Sequence, residues 1–461
     1  MEPTITSALW SHEGLAGVQW VLLDERPQGM LRQTLAGLLP AADMLGECHL
    51  HRAKYKPGRY LSAVYEVILR GPERGARQTR QVEVTWRAPG AIDKSGTSAD
   101  VENMQAEAAA RGLAAPFRKL AAEVPGWGMR IQIAPLDARF RQLVRLCDPD
   151  HVGRLLGPGG EPPGDPSRAY AVSAVRYRPG QRHVLRYDAC DGSGTAVFAK
   201  VYNSDKGERT FALVTRVADW LAARSDGLRT GRPRAYVSAD NVVLYPLVSG
   251  TPISALLRSP DRATSMIMHR AGAALAALHR MPLDVVNLQV HSLEDEVQGI
   301  VRASEPVRTL LPGTAGVIDA ILDRVRMISE RLPQEPPGFA HGDFKADHLW
   351  ATTEGLTLID FDTCYLADPA IDMGKFLSDI HWWHDGRGGS SFAAAQQEFL
   401  SGYSAGAPAE RLLRARLYEV LVRVKTTARR VRLFEPDWAE RTERLIGEAG
   451  AVLTQLELAI R

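Results

Sequence analysis

The chain has 461 residues, 45% of them apolar and 24% charged, with a net charge of +2. That length allows roughly two to three domains with sizeable cores, and the near-neutral balance excludes a protein that holds nucleic acid by charge alone. No apolar run approaches the roughly 18 residues of a membrane span, and Cys48, Cys147, Cys190 and Cys364 are too scattered to form a metal-ligand spacing. The expectation is a reduced, cytoplasmic protein without disulfides or a membrane partner, and MEPTITSALWSHEG carries no secretory signal pattern.

In chain order, HRAKYKPGRYLSAVYEVILRG (51–71) and QVEVTWRAPG (81–90) read as strands. A helix at roughly 100–123 and a strand at MRIQIAPLD (129–137) follow. The Gly- and Pro-rich LLGPGGEPPGDPSRA (155–169) reads as a linker. Beyond it, AYAVSAVRYRP, QRHVLRYDA and TAVFAKVY form a predicted antiparallel meander, with turns at Pro179-Gly180 and Asp191–Gly194. GERTFALVTRVADWLAARS has helical spacing, and RPRAYVSADNVVLYPLVSG reads as two more strands. From residue 251 onward the pattern is mainly helical.

The order strand, strand, strand, helix, strand is shared by the first block and the second, and YKPGR in the first echoes YRPGQR in the second. Either the lobe is duplicated or two meanders share a common pattern. The division expected is a cap over 1–155, a linker over 156–168, a strand-rich lobe over 169–248 and a helical lobe over 249–461. In the first copy, Arg87 or Trp86 takes the place that Lys200 holds in the second.

One stretch breaks the helical pattern. HGDFKADHLW (341–350) precedes LTLIDFDTCYLADPAID (356–372), which places carboxylates and histidines in short loops between apolar runs. Charges beside buried strands need partners, so the stretch reads as a site for something charged.

H-G-D-F-K-A-D-H resembles the catalytic loop of the aminoglycoside phosphotransferase family, LIDFD its metal-binding segment and DPAID the stretch that follows. The resemblance covers roughly residues 170–450. It implies an α+β, protein-kinase-like bilobal fold, with an antiparallel-sheet N-lobe and a mainly helical C-lobe. Residues 1–155 would then be an extra α+β cap resembling a second N-lobe. It also implies an ATP- or GTP-dependent O-phosphotransferase acting on a hydroxyl of a sugar, antibiotic or related metabolite. The alternative is a catalytically impaired kinase-like module that binds nucleotide or a partner.

The same resemblance assigns roles. Asp343 orients and deprotonates the acceptor, and Lys345 meets the transferred phosphate unless it is a solvated loop cation. Asp360 and His348 hold Mg²⁺, with His348 standing where most of the family has Asn. Lys200 contacts the nucleotide phosphates, with Glu208 as its nearest acidic candidate, and the Pro179-Gly180 turn covers them. Pro246, Leu247 and Val248 offer backbone groups to the base. His341 and Asp372 hold the loop, and Asp362 is either a second metal carboxylate or a strand terminator. Asp379, Trp382, Trp383 and His384 could contact a sugar acceptor, or the tryptophans could plug the core.

Overall fold

The computed structural model describes residues 5–461 apart from 11–13, 72–76, 92–96, 158–168, 225, 258–261, 286 and 385–389. The expected linker at 156–168 therefore lies almost entirely outside the described residues. The chain divides into two compact units. The first holds Met1–Glu208, Arg234–Leu247 and Arg432–Trp438; the second holds Arg209–Pro233, Val248–Val431 and Ala439–Arg461.

The first unit contains two five-stranded sheets. One is built from β1 (Leu45–Lys56), β2 (Tyr60–Arg70), β3 (Arg77–Arg87), β4 (Ala121–Val124) and β5 (Met129–Ile133), in the order β1-β2-β3-β5-β4. The other uses β6 (Tyr170–Arg178), β7 (Arg182–Ala189) and β8 (Ala196–Val201). It is completed by β10 (Ala235–Val237) and β11 (Val242–Pro246), while β9 (Leu228–Thr230) lies in the second unit. Its order is β10-β11-β8-β7-β6. The two sheets therefore share one strand order, and in each a helix follows the third strand: Ser98–Ala110 in the first and Lys206–Ala222 in the second.

Their turns also match. Arg59 N–H bonds Lys56 O at 2.9 Å and Gln181 N–H bonds Arg178 O at 3.0 Å. Gly58 and Gly180 both have positive φ, +63° and +64°. Proline followed by a left-handed glycine is the chemistry of a type II turn.

Register corrects one detail. Leu61 pairs with Trp86 as His183 pairs with Val201, and Ser62 pairs with Thr85 as Val184 pairs with Lys200. Thr85, not Arg87 or Trp86, holds the place of Lys200, so the first sheet still lacks a lysine there.

Two other expectations move. The helix expected to reach residue 123 ends at Ala110, because Gly112 takes φ +70° and Pro116 follows, and β4 occupies its supposed tail. Three helices, Ile5–Trp10, Gly14–Leu23 and Glu25–Gly37, precede β1 where one helix in all was expected. The third begins at Asp24, whose carboxylate caps the Arg26 N–H at 3.0 Å.

A buried cluster joins the segment before the linker to the second sheet. Phe140, Leu143, Leu146, Val152 and Leu156 pack with Leu185, Tyr187, Val197, Ala199 and Leu244.

The second unit is mainly helical, including Arg262–Leu278, Leu293–Leu310, Pro312–Arg331, Ala370–His384, Ser390–Tyr403 and Ala409–Arg430. Two small sheets interrupt the helices. β12 (Thr251–Pro252), β14 (Leu349–Thr352), β15 (Gly355–Leu358) and β9 form one, and β13 (Gly338–Ala340) pairs with β16 (Tyr365–Ala367). These short strands deliver the loops of the candidate site. No helix among the described residues is long and apolar enough to cross a membrane.

Candidate active site

The loop after β13 turns sharply at Gly342, which takes φ +72°. A Cβ there would lie 2.3 Å from Thr363 O and 2.8 Å from the Tyr365 ring. No side chain fits such a gap, so Gly342→Ala is expected to destabilise the chain by roughly 1–3 kcal/mol or displace the loop. A thermal melt unchanged from the parent would contradict this.

Buried Asp372, on the Ala370–His384 helix, holds the turned backbone. Its two oxygens accept the His341 N–H at 2.7 Å and the Gly342 N–H at 2.8 Å. His279 Nε2 lies 3.3 Å from the same carboxylate, and its Nδ1 meets the Tyr403 hydroxyl at 2.7 Å. His341 is fully buried; its Nδ1 accepts the Asp343 N–H and its Nε2–H donates to Ile359 O. Burial pulls its pKa down, outweighing the carboxylates of Asp372, Asp343 and Asp360. A neutral ring bonded at both nitrogens is a scaffold.

Asp343 projects among cations. Lys345 Nζ lies 2.6 Å from Oδ2, and Lys375 Nζ lies 3.2 Å from Oδ1. Burial favours the protonated acid, but Lys375, His348 and Lys345 outweigh it and hold the carboxyl far below its usual range. Lys345 itself is shifted down by burial, against the pull of Asp343.

His348 closes the short helix Ala346–His348. Its Nδ1 lies 3.0 Å from Asp343 O, and its Nε2 lies 3.3 Å from Asp360 Oδ2. Burial, helped by Lys345, pulls its pKa down to about 3 despite Asp360 and Asp343. The proton of the neutral ring therefore sits on Nδ1, donated to the carbonyl, and the Nε2 lone pair faces a carboxylate oxygen. Two lone pairs so placed repel unless a cation joins them.

Asp360 carries the left-handed backbone, φ +69° and ψ +60°, that non-glycine residues adopt at a cost. One donor atom from each of Asp343, His348 and Asp360 lies within 4.8 Å of the others. Two carboxylates and one imidazole suit a divalent cation. The oxygens fit magnesium, and the nitrogen widens the choice toward softer ions.

Of the residues expected to touch a sugar, Asp379 bonds the backbone of this loop. Both oxygens of buried Asp379 are engaged: Oδ2 accepts the Ala346 N–H at 2.9 Å and Trp383 Nε1–H at 3.2 Å, and Oδ1 meets Arg430 at 3.0 Å. Arg430 and Arg441 lie over the Trp382 ring, 5.5 and 5.3 Å from its centroid. His384 is buried, with Nδ1 2.9 Å from Ile380 O. Asp379 is thus a support of the loop and not a free substrate ligand.

Lys375 escaped the reading of the sequence. It stands one helical turn after Asp372 on the Ala370–His384 helix, and that i, i+3 spacing puts both on one face.

The residues expected to bind nucleotide lie on the second sheet and its flanks. Lys200 is only 8% exposed, one residue before the end of β8, where it pairs across to Val184 and Val243. Glu208 is exposed in the first turn of the Lys206–Ala222 helix. Pro179 and Gly180 form the turn between β6 and β7, Pro246 ends β11, and Leu247 and Val248 follow it.

An antiparallel sheet with a buried lysine on its third strand in one unit, and a carboxylate loop braced by a helix in the mainly helical other, give an α+β chain of protein-kinase-like plan. Residues 176–413 match the model of the phosphotransferase enzyme family. The chain belongs to that family of small-molecule phosphotransferases.

No curated protein matches the chain by sequence. Among solved structures it is similar to an amicoumacin kinase in complex with AMP-PNP, Ca²⁺ and Ami (14% identity, TM-score 0.45, 61% of this chain and 88% of that one). It is also similar to a choline/ethanolamine kinase family protein from Mesorhizobium loti (17% identity, TM-score 0.43, 60% and 89%). A third is a GDP complex of aminoglycoside 2'-phosphotransferase-IIIa (16% identity, TM-score 0.42, 61% and 92%).

Proposed function

We propose that the chain transfers the γ-phosphoryl group of ATP or GTP to a hydroxyl of a small molecule. The observation that carries this is the grouping of Asp343, His348 and Asp360, brought together by two successive loops, with Lys345 on the first loop and Lys375 on the bracing helix. The acceptor oxygen bonds to phosphorus as the bond to the nucleoside diphosphate oxygen breaks. Asp343 aligns the hydroxyl and takes its proton late, as its low basicity dictates. Lys345, and with it Lys375, neutralises charge on the moving phosphoryl group.

His348 Nε2 and the carboxylates of Asp360 and Asp343 would hold Mg²⁺, which neutralises phosphate charge when bound. Lys200 would pair with the nucleotide phosphates beneath the Pro179-Gly180 turn, and the segment Pro246–Val248 would meet the base. Glu208, exposed at its helix start, is the acidic candidate on the helix that follows Lys200 in sequence.

The acceptor is better sought among neutral or anionic alcohols, such as sugars and hydroxylated metabolites, than among polycations. The chain is slightly basic, and both oxygens of Asp343 face lysines. The four free cysteines suit the reducing cytoplasm.

A phosphorylation screen with ATP and GTP against sugars, macrolides and aminoglycosides tests the reading. Transfer to at least one alcohol is expected. Nucleotide binding without transfer to any acceptor, and without nucleotide hydrolysis, would favour an inactive binding module.

A further inference from the structure

The turn between β6 and β7 is held from outside its own sheet. Asp137, four residues after β5 and only 4% exposed, accepts the Gly180 N–H at 2.7 Å through Oδ2. The same oxygen lies 2.7 Å from His183 Nε2. Its Oδ1 accepts the Arg139 N–H at 2.9 Å, which shapes the segment that carries it. One residue earlier, Leu136 O accepts the Tyr177 hydroxyl at 3.1 Å.

His183 has no solvent exposure and lies against Phe140 and Tyr177, with ring centroids 4.8 and 5.0 Å away. Its Nδ1 has no partner. The ring proton therefore sits on Nε2 and is donated to Asp137.

The turn chemistry explains why an anchor is useful. Gln181 N–H closes the type II turn onto Arg178 O, and Gly180, at φ +64°, keeps its own N–H outside that bond. An amide so placed takes whatever acceptor is near, and here it is a buried carboxylate. The first sheet has the same turn at Pro57-Gly58, but Leu61 stands where β7 has His183. The anchor thus distinguishes the turn of the second sheet from its counterpart.

We propose that Asp137 is a positioning residue for nucleotide binding. It fixes the Pro179-Gly180 turn at the height at which the turn covers the phosphates. The segment between the two sheets is then part of the nucleotide site's framework, and the region before residue 155 is more than a cap. This rests on the reading of that turn as the nucleotide cover.

The test pairs two measurements on Asp137→Ala, Asp137→Asn and His183→Leu, each in the full chain. Hydrogen exchange over residues 178–183 reads the anchor, and calorimetry with ATP and Mg²⁺ reads the nucleotide. The Asp137→Ala variant is expected to exchange faster in the turn and to bind ATP about tenfold more weakly, the effect of one lost hydrogen bond to a charged group. Where turnover can be followed, its nucleotide KM rises while the acceptor KM stays within about twofold.

Asp137→Asn keeps an oxygen for Gly180 and should recover most of the affinity. Should Asp137→Ala fail to fold, His183→Leu and Asp137→Asn carry the comparison. Unchanged exchange in the turn would overturn the anchor itself. Faster exchange with unchanged or tighter ATP binding would instead show that the turn does not cover the nucleotide.

Discussion

Asp343→Asn is expected to lower phosphoryl transfer by about 10²–10⁴ while leaving the chain folded. The amide keeps the size and one acceptor oxygen but can neither take the hydroxyl proton nor balance two cations. In the parent, Lys345 and Lys375 both lean on this carboxylate, at 2.6 and 3.2 Å. Without it they face each other across a neutral group, which should turn the acceptor hydroxyl away from its line of attack. The loop itself is not at risk, because Asp372 and Asp379 hold its backbone from the Ala370–His384 helix. Single-turnover measurement with any true acceptor, set beside a thermal melt, separates the two effects. Near-normal turnover by the variant would remove Asp343 from this role.

Much of the site was legible because its constraints are local. Gly342, Asp343, Asp360 and Asp372 sit in one short stretch where the glycine turn, the strand ends and the helix start all fall at fixed offsets. The second sheet was legible for the same reason: Pro179-Gly180 and the alternating strands need only near neighbours. Residues whose meaning comes from distant partners were not. Lys375 is one more lysine on a helix until Asp343 is brought to 3.2 Å. Asp137 is a loop aspartate until the turn of another sheet meets it at 2.7 Å.

Asp379 looked like a substrate ligand because it precedes two tryptophans. Only the fold shows that Ala346, Trp383 and Arg430 already occupy its oxygens. The helices between Ile5 and Gly37 are a different case. Asp24 ahead of Glu25, Arg26 and Pro27 is a helix-start signal that could have been read.

The same stretch supports a second large effect, at Asp360. Asp360→Ala is expected to abolish the dependence of ATP binding on divalent metal and to leave transfer undetectable. Loss of an outer partner of a metal ligand commonly costs about 10–100-fold in metal affinity, so loss of a ligand should exceed that. The backbone there also accepts a left-handed conformation, φ +69°, at a cost that non-glycine residues seldom bear. Titrating ATP by calorimetry at several Mg²⁺ and Mn²⁺ concentrations gives a readout apart from turnover. His348→Asn serves as the companion, since it exchanges the nitrogen donor for an oxygen. It should keep metal-dependent binding while shifting preference from Mn²⁺ toward Mg²⁺, as harder oxygen ligands dictate. A parent-like response to metal in Asp360→Ala would show that the grouping of Asp343, His348 and Asp360 holds no cation, and with it the metal assignment would fall.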